Sequence, residues 1–444
     1  MSEAKPWYAG LEPRIRDHVD HIVQRFNNDP ARPDISGVAA GRGVDFMHAE
    51  RQLVVREQYL DQVRRILELV PVPERTFDPA NGVRRITRGV VELTFEPGSA
   101  QGQREVPDIV DDIDKELGRG IATPNHVLTV AGGGDMGPCP ATEPQPVDDG
   151  IEPSPGVSGQ NGGGGVLIYI ADTGVLQDAE DSHSWLQGVA SKGSGYPWLR
   201  GIKSDVDPLP ATARVGGQDI QPIDPYDGHG TFVAGVARCM APQADIIVGN
   251  IFDAAGSALE SDFVFKLDEA LNLGVDIFVL SIASPTRNDV PLLSLQGWME
   301  RLQDYQGVVC VAPAGNSGTR RPCWPGAFPN IISVGALTAD LRTRAEFSNY
   351  GSWVDVYAQG RDLINAYATG TYTYKVAPYT GQQNKFYGMA RWSGTSFSTP
   401  IVAGLIAARM SQSGQSAQQA AEAVLAQARA QALPGVGPAV QSGS

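Results

Sequence analysis

Three short stretches of this 444-residue chain carry the side chains that acyl transfer requires. Ser396 lies in Ser393-Gly394-Thr395-Ser396-Phe397-Ser398-Thr399-Pro400, His229 in Asp227-Gly228-His229-Gly230-Thr231, and Asp172 in Ala171-Asp172-Thr173-Gly174. An alcohol is a weak nucleophile near neutral pH, so it needs a base within hydrogen-bond reach, and that base needs a third group to orient it. Gly394 permits a tight turn before Ser396, and the stretch from Ser398 through Pro400 to Leu405 reads as a helix start with proline in the first turn. A helix N-terminus there sets the Ser396 N–H where a developing oxyanion is stabilised. His229 opens the apolar run Thr231-Phe232-Val233-Ala234-Gly235-Val236-Ala237, which suits a buried helix, and its neutral imidazole can take the serine proton and return it to a leaving amine. Asp172 would accept the other ring N–H and fix the tautomer. Asn316, in Pro313-Ala314-Gly315-Asn316-Ser317-Gly318, could donate to the same oxyanion.

Each residue also has a plain structural alternative. Ser396 could cap a helix, His229 could be a core histidine, Asp172 a turn residue after a strand, and Asn316 a loop residue bonding its own backbone. Four such settings in one chain weigh against four coincidences. Of the six histidines (18, 21, 48, 126, 183 and 229), only His229 stands in such a setting.

The elements that must position these groups are readable from hydrophobic pattern. Residues 166–170, 245–248, 275–280, 308–312 and 331–334 are short Val/Ile-rich runs bounded by Gly, Pro or Asn, and residues 259–273 and 292–305 read as helices between them. Near-continuous apolar strands separated by helices imply a parallel sheet covered on both faces, with reactive groups at the carboxyl ends of its strands.

Residues 132–165 contain six prolines and eleven glycines and read as a linker. On its N-terminal side, residues 1–40 read as a helical extension in which Ile15, Val19, Ile22, Val23 and Phe26 recur at helical spacing. Residues 41–131 read as a small α+β domain. It has a strand at 52–56, a helix carrying Tyr59, Leu60, Val63, Ile66, Leu67 and Val70, and a strand or hairpin over 83–95 around Gly89. A helix with Ile109, Val110, Ile113 and Leu117 follows, then a strand at 126–130. That order fits a ferredoxin-like arrangement. Residues 166–444 are then the catalytic domain, ending in a flexible tail.

Composition narrows the partners. Thirty-five Lys plus Arg against fifty Asp plus Glu give a net charge of -15, which disfavours attraction to nucleic acid or anionic lipid. No apolar segment is long enough for a membrane span, and residues 1–27 lack the apolar stretch of a secretory signal, so the expectation is a cytoplasmic, globular enzyme. Four cysteines (139, 239, 310, 323) without a C-x-x-C pair make neither a disulfide framework nor a zinc site. Buried thiols are expected, with a bridge or redox sensor between Cys310 and Cys323, which flank the Asn316 loop, left open.

Together the four motif blocks resemble the subtilisin-like serine peptidases, or subtilases, over residues 166–432. The stretches Ala241-Pro242, Phe347-Ser348-Asn349-Tyr350-Gly351 and Val354-Asp355-Val356-Tyr357-Ala358 are similar to further landmarks of that family. The resemblance implies a three-layer parallel-sheet α/β catalytic domain and hydrolysis of peptide bonds through an acyl-enzyme on Ser396. It further implies Asp172 and His229 as the other triad members and Asn316 in the oxyanion hole. No cofactor is needed for that chemistry; family members often hold structural calcium, but no liganding loop stands out here and the metal stays unresolved.

In the family an extended protein or peptide substrate pairs with backbone beside a Ser-Leu-Gly segment. Ser281-Ile282-Ala283 is the matching stretch, with Ala314 and Gly315 on the opposite wall. The methyl of Ala283 and the ring of Pro313 depart from the family pattern. Between Asp172 and His229, Trp185, Tyr196 and Trp198 either line the substrate groove or pack over the core. The N-terminal α+β domain resembles a subtilase propeptide, which implies an intramolecular inhibitor and folding template cut away within 132–165. A permanent partner-binding domain is the rival. Two alternatives to an endopeptidase are a peptide ligase or cyclase using the same triad, and a partner-binding regulatory protein with vestigial catalysis.

Overall fold

The computed structural model describes residues 6–41, 43–68, 82–96, 101–130, 141–158, 162–177, 179–187, 204–215, 218–305, 307–375 and 378–440. The chain forms two compact units. One comprises residues 1–128 with 257–272 and 285–306, and the other comprises residues 129–256, 273–284 and 307–444. A division drawn along the sequence at residues 131 and 165 leaves 257–272 and 285–306 in the catalytic region instead.

In the first unit, helix α1 (Pro13–Asn27) begins on a proline whose missing N–H would have had no helical acceptor. Its apolar stripe of Ile15, Val19, Ile22 and Phe26 is buried. Strand β1 (Ile35–Ala40) pairs antiparallel with β2 (Gly43–Arg56), so residues 1–40 add a strand as well as a helix, and the strand anticipated at 52–56 starts nine residues earlier. Helix α2 (Leu60–Ile66), the hairpin β3 (Val83–Thr87) and β4 (Val90–Thr94), helix α3 (Val106–Leu117) and strand β5 (Ala122–Thr129) follow. Val70 lies outside the described residues.

The strand Ser257–Leu259 forms one edge of this sheet beside β5, followed by β2, β4 and β3, with β1 on the far part of β2; the β5–β2, β2–β4, β4–β3 and β1–β2 pairings are antiparallel. Alternation along the strands turns Leu53, Val55, Val91 and Leu93 to one face. There they meet Val63, Ile109 and Ile113 from α2 and α3 in a single core. A polar seam runs through the same unit. Arg84 bridges Glu92 and Asp262 at 2.7 Å each, and Asn125 donates to Gln52 and Ser261 at 2.9 Å. Arg287 pairs with Asp111 and Asp114.

In the second unit, six parallel strands lie in the order β7-β6-β8-β9-β10-β11, namely β6 (Leu167–Asp172), β7 (Asp245–Asn250), β8 (Ile277–Leu280), β9 (Val309–Pro313), β10 (Ile332–Leu337) and β11 (Val356–Gln359). Helix α4 (His229–Met240) is buried along its whole length, as expected of a helix without a polar face. The antiparallel pair β12 (Leu363–Thr373) and β13 (Gln383–Trp392) leads into helix α5 (Thr395–Ser413), and α6 (Ala417–Ala430) closes the series behind a Ser416/Gln419 capping box. One continuous core joins the sheet to α4, α5 and α6.

Two expectations are corrected in this unit. Residues 141–158 are not a loose linker: Ala141 and Gln145 bond Ser393 and Arg391 through backbone, and Ser154 pairs with Ile364. The buried Glu143 carboxylate accepts from the Lys375 N–H at 2.6 Å and from the Tyr372 hydroxyl at 3.1 Å, while Trp392 Nε1 donates to the Thr142 carbonyl at 2.7 Å. The proline-rich composition sets aside helix and sheet but leaves carbonyls and side chains able to bond. Likewise the C-terminal segment is no free tail up to residue 440, because Tyr357 of β11 exchanges backbone bonds with Pro438 and Val440.

Candidate active site

Strands β6, β8 and β9 are neighbours in the sheet, and their carboxyl ends deliver Asp172, the Ser281-Ile282-Ala283 segment and the Ala314-Gly315-Asn316 loop. This is where a parallel α/β sheet gathers reactive groups. His229 is the first residue of α4 and Ser396 the second of α5. Those two helix starts are drawn together by the ring of Phe232, whose centroid lies 4.4 Å from that of Phe397 and 5.7 Å from that of Trp392.

Asp172 Oδ1 lies 2.8 Å from His229 Nδ1, and both side chains are fully buried. The same oxygen accepts the Thr173 N–H at 2.8 Å. A carboxylate can only accept here, so Nδ1 carries the hydrogen and Nε2 is left with the lone pair that a general base needs. The imidazole stands edge-on to Trp392, with ring centroids 5.6 Å apart, and beside Phe397 at 5.2 Å, in an environment without water-like mobility. Gly230 follows the histidine because a Cβ there would meet the Gly174 carbonyl oxygen at 2.3 Å, so only glycine lets α4 start this close to the Asp172 turn.

His229 Nε2 and Ser396 Oγ are each buried without a hydrogen-bond partner among the described residues, so the base and the nucleophile are not bonded to each other in this state. Catalytic hydrogen bonds often tighten only around substrate. The helix starts at Thr395, before the serine and not after it as the sequence reading has it, and Pro400 sits inside α5. The Thr395 carbonyl accepts from the Thr399 hydroxyl at 2.8 Å.

Asn316 Oδ1 accepts from the Thr395 N–H and from the Thr395 hydroxyl, both at 2.9 Å. Because the backbone N–H is an obligate donor, it fixes which branch of the amide is oxygen and turns Nδ2 the other way. Asn349 clasps the same loop from beneath. Its Oδ1 accepts from Ser317 N (3.1 Å) and Thr319 N (3.2 Å), its Nδ2 donates to the Ala314 carbonyl (2.9 Å) and the Cys323 sulfur (3.2 Å), and its own N–H bonds Gly315 O. Thr395 and Asn349 are thus supporting residues missing from the sequence-derived set, although both stand inside motifs recognised there.

The candidate substrate-binding residues Ser281, Ile282, Ala283 and Ala314 are all buried. The Ala283 methyl lies 3.4 Å from where a Gly315 Cβ would stand, so the two walls meet closely at this point. Val130 pairs antiparallel with Ile282, Thr129 N–H donates to Ser284 Oγ at 3.0 Å, and Val130 N–H donates to Gly256 O at 2.9 Å. All of these residues belong to the second unit. Ser284 and Trp324 exchange both backbone hydrogen bonds and brace the segment from its other side.

Trp185 packs on the main core and donates to Asn365 Oδ1 at 3.0 Å, while Tyr196 and Trp198 lie outside the described residues. Cys310 and Cys323 are buried free thiols and form no bridge; burial pushes the Cys310 thiol far above its ordinary range. Cys239 is likewise free, pushed up to about 11 by burial, and Cys139 lies outside the described residues. Among the described residues no group of three or more His, Cys, Asp or Glu side chains could hold a metal ion, and no helix is long and apolar enough to cross a membrane.

The first unit contains a second buried histidine–carboxylate pair, His126 Nδ1 with Glu260 at 2.9 Å. There, however, Nε2 accepts the Arg287 N–H at 3.3 Å, and Glu260 is shared with the Ser294 N–H and hydroxyl. Both ring nitrogens are therefore occupied, which makes His126 a structural residue.

The chain is 30% identical over 264 residues to a thermophilic serine proteinase of Bacillus sp. (strain AK1), a match covering 56% of this chain and 53% of that one. It is 28% identical over 275 residues to thermitase of Thermoactinomyces vulgaris, covering 59% of this chain and 80% of that one. An intracellular serine protease of Paenibacillus polymyxa is 29% identical over 268 residues, covering 57% and 69%. The chain thus spans about half the length of the first of these relatives. Residues 163–438, well over half of the chain, match the model of the subtilase family, and the protein belongs to that family.

Proposed function

We propose that this protein is a serine endopeptidase that cleaves protein or peptide substrates through an acyl-enzyme on Ser396. In the first step Ser396 Oγ attacks the scissile carbonyl carbon while its proton passes to His229 Nε2. Asp172 holds the imidazole by Nδ1 and stabilises the imidazolium that results. The oxyanion is met by the Ser396 N–H at the start of α5 and by Asn316 Nδ2. Collapse of the tetrahedral adduct expels the amine, which takes the proton back from His229; water then repeats the sequence on the ester. The observation that carries the reading is the fully buried Asp172–His229 hydrogen bond, which leaves Nε2 as the basic atom.

The N-terminal α+β region acts in this reading as a propeptide-type inhibitor. Its strand order β5-β2-β4-β3, with one helix after the first strand and one after the third, is that of a ferredoxin-like domain, which supports the comparison with subtilase propeptides. The backbone edge of Ile282, where an extended substrate would add as a strand, is taken by Val130. In this reading the processing site lies within 132–165. The expected setting is the cytoplasm, with no nucleic acid or membrane partner.

Mass spectrometry of the wild type beside Ser396→Ala, combined with fluorophosphonate labelling, tests both parts. A wild-type chain clipped within 132–165 and labelled at Ser396, with an intact and unlabelled variant, is the expected result. Labelling and peptidase activity in an uncut wild-type chain would remove the inhibitor, and failure of any form to label would remove the enzyme.

A further inference from the structure

We propose that Asp207 is a further positioning residue of the active site: it ties the turn bearing Asp172 to the turn bearing His229 and contributes negative charge behind the imidazole. The inference rests on the triad reading above. Asp207 belongs to neither motif, yet its buried carboxylate sits between them. Oδ2 accepts the Gly228 N–H at 2.8 Å and the Thr173 hydroxyl at 2.9 Å, and the Thr173 oxygen in turn accepts the Gly230 N–H at 3.0 Å. The backbone amides on both sides of His229 are therefore held, directly or through one hydroxyl, by Asp207 and by the residue next to Asp172.

The carboxylate has little freedom to leave. Asp207 N–H bonds the Val175 carbonyl at 2.8 Å, Val175 N–H bonds the Asp205 carbonyl at 2.9 Å, and Val175 and Val206 pair in parallel. The segment is thereby sewn to the chain leaving β6. The titratable groups on the surrounding elements are Asp172 at the end of β6, His229 at the start of α4, and Asp205 and Asp227 alongside. Asp205 accepts from the Asn250 N–H and Asp227 from the Asp224 N–H. Burial, with a smaller contribution from Asp172, pushes the Asp207 carboxyl up to about 7 against the opposing hydrogen bonds from Gly228 and Thr173. Above that pH it is a second anion near the imidazolium that forms in the transition state.

Two substitutions separate position from charge. Asp207→Asn keeps an oxygen able to accept both hydrogen bonds and removes only the charge; Asp207→Ala removes both. With self-processed protein and a peptide substrate, kcat/KM is measured from pH 5 to 9 beside wild type and Ser396→Ala, with thermal midpoints at each pH. The Ala variant should lose about tenfold in kcat, with KM within about twofold of wild type. The Asn variant should recover most of that plateau below about pH 7, where the Asp207 carboxyl is protonated in wild type too, and should fall short of wild type only above it, where wild type alone carries the charge.

Wild-type kcat at every pH in both variants would overturn the inference. So would equal losses in Asn and Ala that follow the thermal midpoint with no change in pH profile. Failure of the underlying triad reading looks different: wild type would be inactive, or Ser396→Ala would retain activity, whatever stands at 207.

Discussion

Thr395→Val tests whether the oxyanion donor is held by the hydroxyl beside the nucleophile. Valine matches threonine in shape, so in this fully buried position the change removes two hydrogen bonds without opening a cavity. One runs from the hydroxyl to Asn316 Oδ1 at 2.9 Å and the other from Gly315 N–H to the hydroxyl at 3.2 Å. The Thr395 N–H remains on Asn316 Oδ1, so the amide keeps one of its two anchors. At a net worth of about 1–1.5 kcal/mol for one such bond, kcat should fall about five- to tenfold with KM little changed. Removing the donor outright by Asn316→Ala should cost about 10²–10³ in kcat, the range measured for this kind of donor in a subtilisin. The Gly315 N–H, left buried and unpaired, adds a separate stability loss of about 1–3 kcal/mol. Steady-state kinetics on a peptide anilide and calorimetry read the two effects independently. A Thr395→Val enzyme with wild-type kcat, or one as impaired as Asn316→Ala, would refute the reasoning.

Two further outcomes are expected. Gly315→Ala forces a residue with a side chain to φ +98° and drives its Cβ to 2.6 Å from Asn349 Nδ2, so stability should fall by about 2–4 kcal/mol and kcat with it; an unchanged thermal midpoint would contradict the close approach. Asp207, raised from 3.8 to about 7, holds its proton more tightly folded than unfolded, so the stability it contributes is present below about 3.8 and lost as pH rises through 7. Asp207→Asn escapes that loss, and its unfolding free energy relative to wild type, measured by denaturant titration, should rise between pH 4 and pH 8 by on the order of 2–4 kcal/mol. A difference that shrinks over this range would show the sign to be wrong.

The sequence discloses most where function is written into a local turn. Asp172, His229, Asn316 and Ser396 each lie in a Gly-containing turn next to an apolar run, and those runs are strands or helices within a few residues of where the pattern puts them. What escapes is encoded in partners far along the chain. Strand β1, built of small residues around Ile35 and Val38, has no alternation of its own and exists by pairing with β2. The antiparallel β12–β13 pair passes unread because its alternation is broken by a register shift between Ala366 and Thr369. Proline and glycine in 141–158 suggest slack, whereas Glu143, Thr142 and Gln145 fasten that stretch to β13 and its surroundings. Asp207 carries no motif at all; its meaning lies in two bonds, to residues 34 positions before it and 21 after.

The anchoring of residues on both sides of 131–140 has a kinetic corollary. Thr129 and Val130 are fastened to 284, 256 and 282, and Ala141 to Ser393, three positions before the nucleophile. Severing the chain between these moorings leaves each of them in place. Scission and departure of the N-terminal piece become separate events, and activity should emerge after a lag whose length is independent of enzyme concentration. Such a molecule carries its own clock, set by how quickly the N-terminal piece lets go of residues 256, 282 and 284 and of its polar partners at 260–262 and 287.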